Sequence, residues 1–373
     1  MLEPLPIARH LGHHHGHGHD HSHEHARGGG GGGAAPQEYS EPLVELPRGG
    51  LTESVHRGAV VVCGPDGVRQ KGLGHPAMPT FLRSAAKPLQ ALPLITTGAA
   101  DAFGLTPSEL ACCCGSLNGE DFQVAAIRNI LEKIGLKPEM LACGIHRPSH
   151  RPTAKALSDA GEKPCELHNN CAGKHAAMLA LCVHLGYDPA DYTQPSHPVQ
   201  RLVLQEVAEW CAYPAEQIGI GIDGCGVPVF RLPLISLAGA YARLAAPEKS
   251  ALPEDKTMAA KRLMSACLEH PEMIAGTDRL CTRVMQAAPG LVFAKTGAEG
   301  TYALALIKEG LGVAIQVEDG GMRALAPVVT ELLHQLGILD HDALDGPLRD
   351  LHQPEHKNHR GEVVAQLLPM FNI

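Results

Sequence analysis

The chain has 373 residues, of which 44% are hydrophobic and 3% aromatic, and its net charge is −9 when the histidines are neutral. A chain of this length can bury a large core in one or two domains. Scarce aromatic residues, an acidic balance and the lack of a Lys/Arg-rich block argue against nucleic acid and anionic membranes as partners. No apolar stretch is long enough to span a bilayer, so we expect a small-molecule substrate rather than a membrane role.

The N-terminal segment Met1–Ile7 lacks the basic start and the apolar centre of a signal peptide. A cytoplasmic location is therefore predicted, and the twelve cysteines are expected to be reduced. Some of these thiols could bind a metal ion, whereas the run Cys112–Cys114 is predicted to pack as small buried hydrophobic groups.

A histidine-rich tract from His10 to His25 and a glycine run from Gly28 to Gly33 precede the predicted folded body. Both offer almost nothing apolar to bury, so residues 1–41 are predicted to be a disordered extension. Its imidazoles could bind Zn²⁺, Ni²⁺ or Cu²⁺ loosely. The alternatives are an inert tail or a purification artefact, although the spacing differs from that of a plain six-histidine tag.

The folded body is predicted to span residues 42–373 and to begin with a β-hairpin, in which the runs 58–63 and 68–72 flank a Pro-Asp-Gly turn. The Pro-rich stretch 135–166 is predicted to be a loop, and 218–222 a buried strand. Apolar periodicity predicts helices over 106–114, 120–134, 172–185, 196–210, 234–244, 255–268 and 278–287.

Strands are predicted at 291–295, 301–307 and 312–317, followed by an amphipathic helix over 322–336. The three strands are joined by short glycine-containing turns, which favour antiparallel pairing. A doubly wound sheet would instead require strands that alternate with helices. The predicted fold class is therefore α+β, with an antiparallel sheet flanked by helices and an additional helical region.

The segment Arg83–Pro88 places the Ser84 hydroxyl and the Lys87 amine three residues apart, on one face of a helical turn. A serine needs a base to become a nucleophile, and a lysine that is buried or close to other cations can be that base. Pro88 cannot donate a backbone hydrogen bond to Ser84, so the turn is predicted to be irregular or 3₁₀. The alternative is a capping serine followed by a solvated lysine.

Two later motifs strengthen the catalytic interpretation. The segment Ser116–Asn118 lies in a glycine-flanked turn, and Lys295–Gly297 ends a strand-like run. Ser-x-x-Lys, Ser-x-Asn and Lys-Thr-Gly in this order are typical of serine β-lactamases and penicillin-binding proteins. The ordered set favours hydrolysis of an amide bond through a covalent acyl-serine.

Two further segments carry thiols. Cys171 lies at the start of the helix predicted over 172–185, where a thiol has a lowered pKa, and Cys225 lies in a glycine-rich loop after the strand predicted at 218–222. Two thiolates suit Zn²⁺. From the residues alone, His175 is the preferred third ligand because it follows Cys171 by four positions. The alternative is that both thiols are inert and buried.

Five ordered motifs resemble the bacterial L-asparaginase II family of the inducible, thermolabile type. The resemblance covers nearly the whole chain from about Pro42 and excludes the histidine-rich tract. It implies a fold similar to serine β-lactamases and glutaminases, a homodimer, and hydrolysis of L-asparagine to L-aspartate and ammonia. The motifs span residues 83–88, 114–120, 170–175, 223–228 and 295–300.

The resemblance implies a role for two serine–lysine pairs. Ser84 would be the nucleophile and Lys87, neutral when active, its base. Ser116 and Lys295 would form a second pair that relays protons to the departing ammonia. Two ammonium groups held close together would lower each other's pKa.

The resemblance also implies a Zn²⁺ site on Cys171, Lys174 and Cys225, beside the substrate pocket. It favours Lys174 over His175 as third ligand, although a lysine must lose its proton before it can bind a metal. A fourth position left to water is the pattern of an open zinc site. The segment 275–279 is a predicted substrate loop. Taken together, the predicted substrate-binding residues are Arg83, Asn118, His175, Asp223, Arg279 and Gly297.

Two departures from the family pattern affect the predicted rim of the pocket. Ala172 stands where many relatives have serine, and Leu117-Asn118 replaces a His-Ser pair. Discrimination between asparagine and glutamine is therefore open. The alternatives are a glutaminase or broader amidase of the same fold, and a His-rich metal-binding protein with an inactive hydrolase body.

Overall fold

The computed structural model describes residues 39–373. The histidine-rich tract lies outside the described residues, so its metal binding and the disorder of the extension stay predictions. Within residues 39–373, no helix is long and apolar enough to cross a membrane.

Two antiparallel sheets form the framework. The strands are β1 Glu41–Arg48, β2 Leu51–Cys63, β3 Arg69–Leu73, β4 Pro79–Phe81, β5 Gly219–Ile222, β6 Pro228–Pro233, β7 Val292–Thr296, β8 Thr301–Leu306, β9 Leu311–Val317, β10 Glu355–Lys357, β11 Val363–Gln366 and β12 Leu368–Pro369. The large sheet has the order β10-β11-β1-β2-β9-β8-β7, with β3 paired to β2 and β12 to β1. The small sheet has the order β4-β6-β5.

Helices surround the large sheet and form a separate region beside it. They are α1 Lys87–Ala91, α2 Pro93–Thr96, α3 Ala99–Ala102, α4 Pro107–Cys114, α5 Asp121–Lys133, α6 Arg151–Asp159, α7 Ala172–Leu185, α8 Pro198–Trp210, α9 Leu234–Ala245, α10 Glu254–Glu269, α11 Pro271–Ala275, α12 Leu280–Ala287, α13 Leu325–Gln335, α14 His341–Asp345 and α15 Arg349–His352. The predicted α+β class is confirmed, as are the hairpin of β2 with β3 and the helix over 172–185.

The centre of the large sheet is covered on both faces. Every residue of β8 is buried, and successive side chains of a strand point to opposite faces. The helix α9 packs against β2, β8 and β9. The close approach of α9 to β9 requires glycine at position 312, because a Cβ atom there would lie 2.0 Å from the carbonyl oxygen of Ala238.

The helix α4 is the centre of the helical region and contacts α1, α5, α7, α10 and α11. Its N-terminus has a capping box, in which Thr106 and Glu109 each accept a hydrogen bond from the other's backbone N–H. The run Cys112–Cys114 is buried in this helix, as predicted. Because α4 ends at Cys114, it carries the chain directly to Ser116.

Two sequence predictions of local structure are wrong. The stretch 135–166 is not only loop, since it contains α6, whose first turn is capped by the His150 side chain and has a proline. The strand β5 is exposed rather than buried, with Ile220 and Ile222 48% and 61% exposed. It forms an edge of the small sheet, and an apolar run alone does not distinguish an edge strand from a central one.

The chain beyond α13 adds three strands that the sequence did not predict. The strands β11 and β12 both pair with β1, and β10 pairs with β11. These strands are two to four residues long and partly polar, so they lack the alternating pattern by which strands are recognised.

Candidate active site

Ser84 lies in a 3₁₀ turn, Arg83–Ala86, that leads into α1. The predicted irregular turn is confirmed. Arg83 has a φ of +47°, a left-handed conformation that is uncommon for a residue with a side chain. The turn is tied to the small sheet because the backbone N–H of Leu82 donates to the carbonyl of Phe230 at 2.9 Å. Strain of this kind persists where surrounding contacts fix the backbone.

The Ser116 turn is held by two backbone hydrogen bonds to other segments. The N–H of Ser116 donates to the carbonyl of Ile274 at 2.8 Å, and the N–H of Leu117 donates to that of Asn170 at 3.1 Å. The turn therefore joins α4 to the loop before α7 and to α11.

The Ser116 hydroxyl lies between two fully buried lysines. Lys295 Nζ is 2.6 Å from Ser116 Oγ, and Lys87 Nζ is 3.3 Å from the same atom. Lys87 Nζ also donates to the carbonyls of Gly115 and Asn170, at 2.7 and 2.9 Å. Lys87 thus has three acceptors, which match the three protons of an ammonium group.

The two lysines differ in their electrostatic environment. Burial, and secondly the charge of Lys87, lower the pKa of Lys295 to about 7. Near pH 7 Lys295 therefore has a substantial neutral fraction, which can accept the proton of the Ser116 hydroxyl.

The Ser84 hydroxyl belongs to a different surface. Ser84 is half-buried and lines a cavity of about 230 Å³. Within residues 39–373 its hydroxyl makes no hydrogen bond, and all three acceptors of Lys87 Nζ are groups other than Ser84 Oγ. The structure therefore brings Lys87 to Ser116 rather than into a hydrogen bond with Ser84. The residues that line the cavity are Arg83, Ser84, His146, Asn169, Asn170, Cys171, Asp223, Gly224, Cys225 and Ala298.

A thiol-rich cluster forms one wall of this cavity. The sulfurs of Cys171 and Cys225 and a carboxylate oxygen of Asp223 all lie within 4.8 Å of one another. Lys174 Nζ is 3.1 Å from the Cys225 sulfur and 3.6 Å from the Asp223 carboxylate. Cys171 is positioned by Asn169, whose side-chain oxygen accepts the Cys171 backbone N–H at 2.8 Å.

The cluster carries more negative charge than its burial alone would allow. A hydrogen bond from Cys225 and the charge of Lys174 lower the pKa of Cys171. They outweigh burial, which acts in the opposite sense, so this pKa lies well below its ordinary value. Although burial acts in the opposite sense, the neighbouring thiols and Asp223 raise the pKa of Lys174. Burial alone would raise the pKa of Asp223, but the positive charges of Lys174 and Arg83 outweigh it and hold this pKa below its ordinary value.

The donor set fits a zinc ion. Two thiols and a carboxylate are ligands that Zn²⁺ accepts, and three protein ligands leave a position open. The anions around Lys174 raise the pKa of its amine, which must lose a proton before it can bind a metal ion. Asp223, which the sequence suggested only as a substrate contact, is therefore a better third donor than Lys174 in this geometry.

His175 is placed differently from both of its predicted roles. It is fully buried and does not line the cavity. Its Nδ1 shares a 2.6 Å hydrogen bond with the hydroxyl of Tyr192, which also accepts the backbone N–H of Ala142 at 2.9 Å. Burial and the charge of Lys174 hold the pKa of His175 well below its ordinary value. The sequence carried no signal for Tyr192, because its contact with His175 exists only in the folded chain.

Three other predicted substrate contacts also lie outside the cavity lining. Asn118 is 2% exposed and packs against Gly276, where a Cβ atom would lie 2.3 Å from the Asn118 amide. Arg279 is exposed. Gly297 is buried and donates its N–H to the carbonyl of Thr301 at 2.8 Å, so that the next residue, Ala298, faces the cavity.

Arg83 and His146 complete the cavity wall. Arg83 forms an ion pair with Asp223, with an N–O distance of 3.0 Å, and so links the Ser84 turn to the thiol cluster. His146 Nε2 accepts the backbone N–H of Asn170 at 2.8 Å. His146 lies in the stretch 135–166 that was predicted to be a loop, and its position in the sequence gave no reason to place it here.

The chain belongs to the L-asparaginase II family, whose model matches residues 44–369. The family is one of amidohydrolases, and the resemblance inferred from the five motifs is confirmed. No curated protein sequence matches the chain significantly.

Several solved structures are similar over most of the chain, although at low sequence identity. A candidate beta-lactamase from Bacteroides dorei has 10% identity and a TM-score of 0.40, covering 74% of this chain and 93% of its own. A beta-lactamase from Mycobacterium bovis has 15% identity and a TM-score of 0.38, covering 76% and 95%. A Bacillus glutaminase has 13% identity and a TM-score of 0.35, covering 75% and 91%.

Proposed function

We propose that this protein hydrolyses L-asparagine to L-aspartate and ammonia through an acyl-serine. The observation that carries the proposal is the Ser116 hydroxyl between two buried lysines, one of which has a pKa of about 7. Membership of the L-asparaginase II family supports the choice of substrate. The cavity of about 230 Å³ is smaller than the ~300–1,000 Å³ typical of drug-sized ligands, which suits an amino acid.

The proposed reaction begins with a proton shift among three buried groups. Neutral Lys295 takes the Ser116 hydroxyl proton, and Ser116 in turn takes a proton from the Lys87 ammonium group. Lys87 is then neutral and can accept the proton of Ser84 when substrate binding brings the two side chains within hydrogen-bond distance. The two lysines share a single positive charge in this scheme, as their short separation through Ser116 favours.

Ser84 Oγ then attacks the side-chain amide carbon of asparagine, because Ser84 is the serine that lines the cavity. The C–N bond breaks as the lysine network returns a proton to the nitrogen, and ammonia leaves. Water attacks the resulting β-aspartyl ester, its proton passes through the network to Ser84 Oγ as the acyl C–Oγ bond breaks, and L-aspartate is released. The same buried lysine–serine network thus accepts and donates the protons in both acyl transfers.

A zinc ion would be held by Cys171, Asp223 and Cys225. When bound, it would supply a positive charge beside the cavity that can bind a carboxylate of the substrate. Arg83 would position the turn that carries Ser84 through its ion pair with Asp223. A cytoplasmic location and a homodimer stay predictions of the sequence analysis.

The test is ammonia release from L-asparagine and from L-glutamine by the purified full-length protein. We expect release from asparagine, and loss of it in Ser84→Ala. The matched control is Ser265→Ala, which removes an exposed hydroxyl whose one hydrogen-bond partner among residues 39–373 is Glu269, and which should keep the parent rate. Release from neither amide, or a near-parent rate in Ser84→Ala, would contradict the proposal.

A further inference from the structure

A second cavity, of about 390 Å³, lies next to the first and is not used by the proposed reaction of asparagine. Its volume falls within the ~300–1,000 Å³ range of small-molecule sites. Part of its lining is apolar, and two carboxylates, Glu299 and Glu318, lie at its surface. The apolar residues are Met78, Phe81, Ile222 and Val229.

Two segments of the chain contribute to the lining of both cavities. Arg83 lines both of them. Ala298 lines the first and the next residue, Glu299, lines the second. Arg83 precedes Ser84, the serine that faces the first cavity. A group that extends from the reacting amide past Arg83 would therefore reach the second cavity.

The charges of the second cavity restrict what it can bind. The charge of Arg83 is balanced by Asp223 at 3.0 Å. Within the described chain, neither Glu299 nor Glu318 forms an ion pair, although Glu318 accepts a hydrogen bond from the Ser40 hydroxyl. The cavity thus repels anions and favours an apolar group that carries, or acquires, a positive charge.

We propose that the second cavity receives the nitrogen substituent of secondary side-chain amides, so that the enzyme also hydrolyses L-asparagine derivatives bearing an apolar group on the amide nitrogen. This inference rests on the proposed function. The same C–N bond breaks, and the nitrogen leaves with one proton from the lysine network as a primary amine instead of ammonia. The amine then takes a further proton from water, and the carboxylates attract the resulting cation.

The experiment compares kcat/KM for L-asparagine and for N4-benzyl-L-asparagine, by measuring aspartate and benzylamine release. The benzyl group would pack against Phe81 and Ile222, which are 42% and 61% exposed without a ligand. Phe81→Ser and Ile222→Ser should each lower the ratio of benzyl to parent kcat/KM by about tenfold, since each removes apolar surface that the benzyl group would bury. The control Val363→Ser changes another exposed apolar residue, 48% exposed, and should leave the ratio unchanged.

The outcomes separate this inference from the proposed function. Asparagine hydrolysis without benzylamine release, or an unchanged ratio in both cavity variants, would overturn the second cavity as a subsite and leave the asparaginase activity standing. Benzylamine release without asparagine hydrolysis would support the subsite and contradict the proposed substrate. Release from neither compound would overturn both.

Discussion

Lys295 Nζ lies 2.6 Å from Ser116 Oγ, although 179 residues separate the two along the chain. The pair is completed by Lys87, whose charge is the second cause of the low pKa of Lys295, after burial. This arrangement makes the proton content of the site depend on pH close to neutrality.

The rate should therefore rise with pH through about 7. Lys295 must be neutral to accept a proton, and it becomes neutral as pH rises through its pKa of about 7. Each pH unit below that value should lower kcat/KM for asparagine by about tenfold. A pH–rate profile measures this, and a flat profile between pH 5 and 8 would contradict the role of Lys295 as base.

Lys295→Met should lower kcat by about 10²-fold or more, the usual scale of general acid–base catalysis. The matched control is Lys155→Met, because Lys155 is an exposed lysine paired with Asp159. If both variants keep the parent rate, the buried pair does not take part in the reaction.

Zinc affinity should depend on Asp223 more than on Lys174. Asp223→Asn should weaken zinc binding by about tenfold or more, because it removes a charged donor of the cluster. Lys174→Met should leave the affinity unchanged or raise it, since it removes a competing positive charge from the two thiols. Competition with a chromogenic chelator measures both, and the reverse order would restore Lys174 as the third ligand.

Gly276→Ala should destabilise the fold by roughly 1–3 kcal/mol. The residue has a φ of +97°, and its Cβ atom would lie 2.3 Å from the Asn118 amide, which is itself buried. Gly98→Ala is the matched control, because Gly98 has a φ of +82° but its nearest contact is 4.0 Å away. Urea unfolding should show a larger loss for Gly276→Ala, and equal losses would mean that only the backbone conformation matters.

Removing residues 1–38 should leave asparagine hydrolysis intact. Every residue of the proposed site lies within the segment 83–298, and the first strand begins at Glu41. The number of Zn²⁺ or Ni²⁺ ions bound per chain should fall, because the shortened protein lacks the histidine-rich tract. Loss of hydrolysis in the shortened protein would show that the tract contributes to the site.

The sequence named candidate residues of the site but not their geometry. The ordered motifs and the family resemblance selected Ser84, Ser116 and the two cysteines, and the roles of these residues stay predictions. The sequence did not predict which hydrogen bonds these residues make. Whether Lys87 contacts Ser84 or Ser116 depends on how α1 packs against α4, and side-chain spacing along one turn cannot report it.

The same limit explains the misplaced substrate contacts. Asn118 and Arg279 lie near the site in sequence motifs, yet one is buried under Gly276 and the other is exposed. For the fold, long periodic helices such as α7 and α8 were predicted to within two residues. The edge strand β5 and the short C-terminal strands were not, because their burial and pairing are set by distant segments.

The pairing of β1 with β11 and β12 has a consequence for synthesis on the ribosome. One side of β1 finds its partner β2 within a few residues, but its other side stays open until residues 363–369 have been made. The nascent chain therefore exposes an unpaired strand edge until these residues are made, and such an edge is a template for mispairing with neighbouring chains. Closure of this side of the sheet must wait until residues 363–369 have left the ribosome.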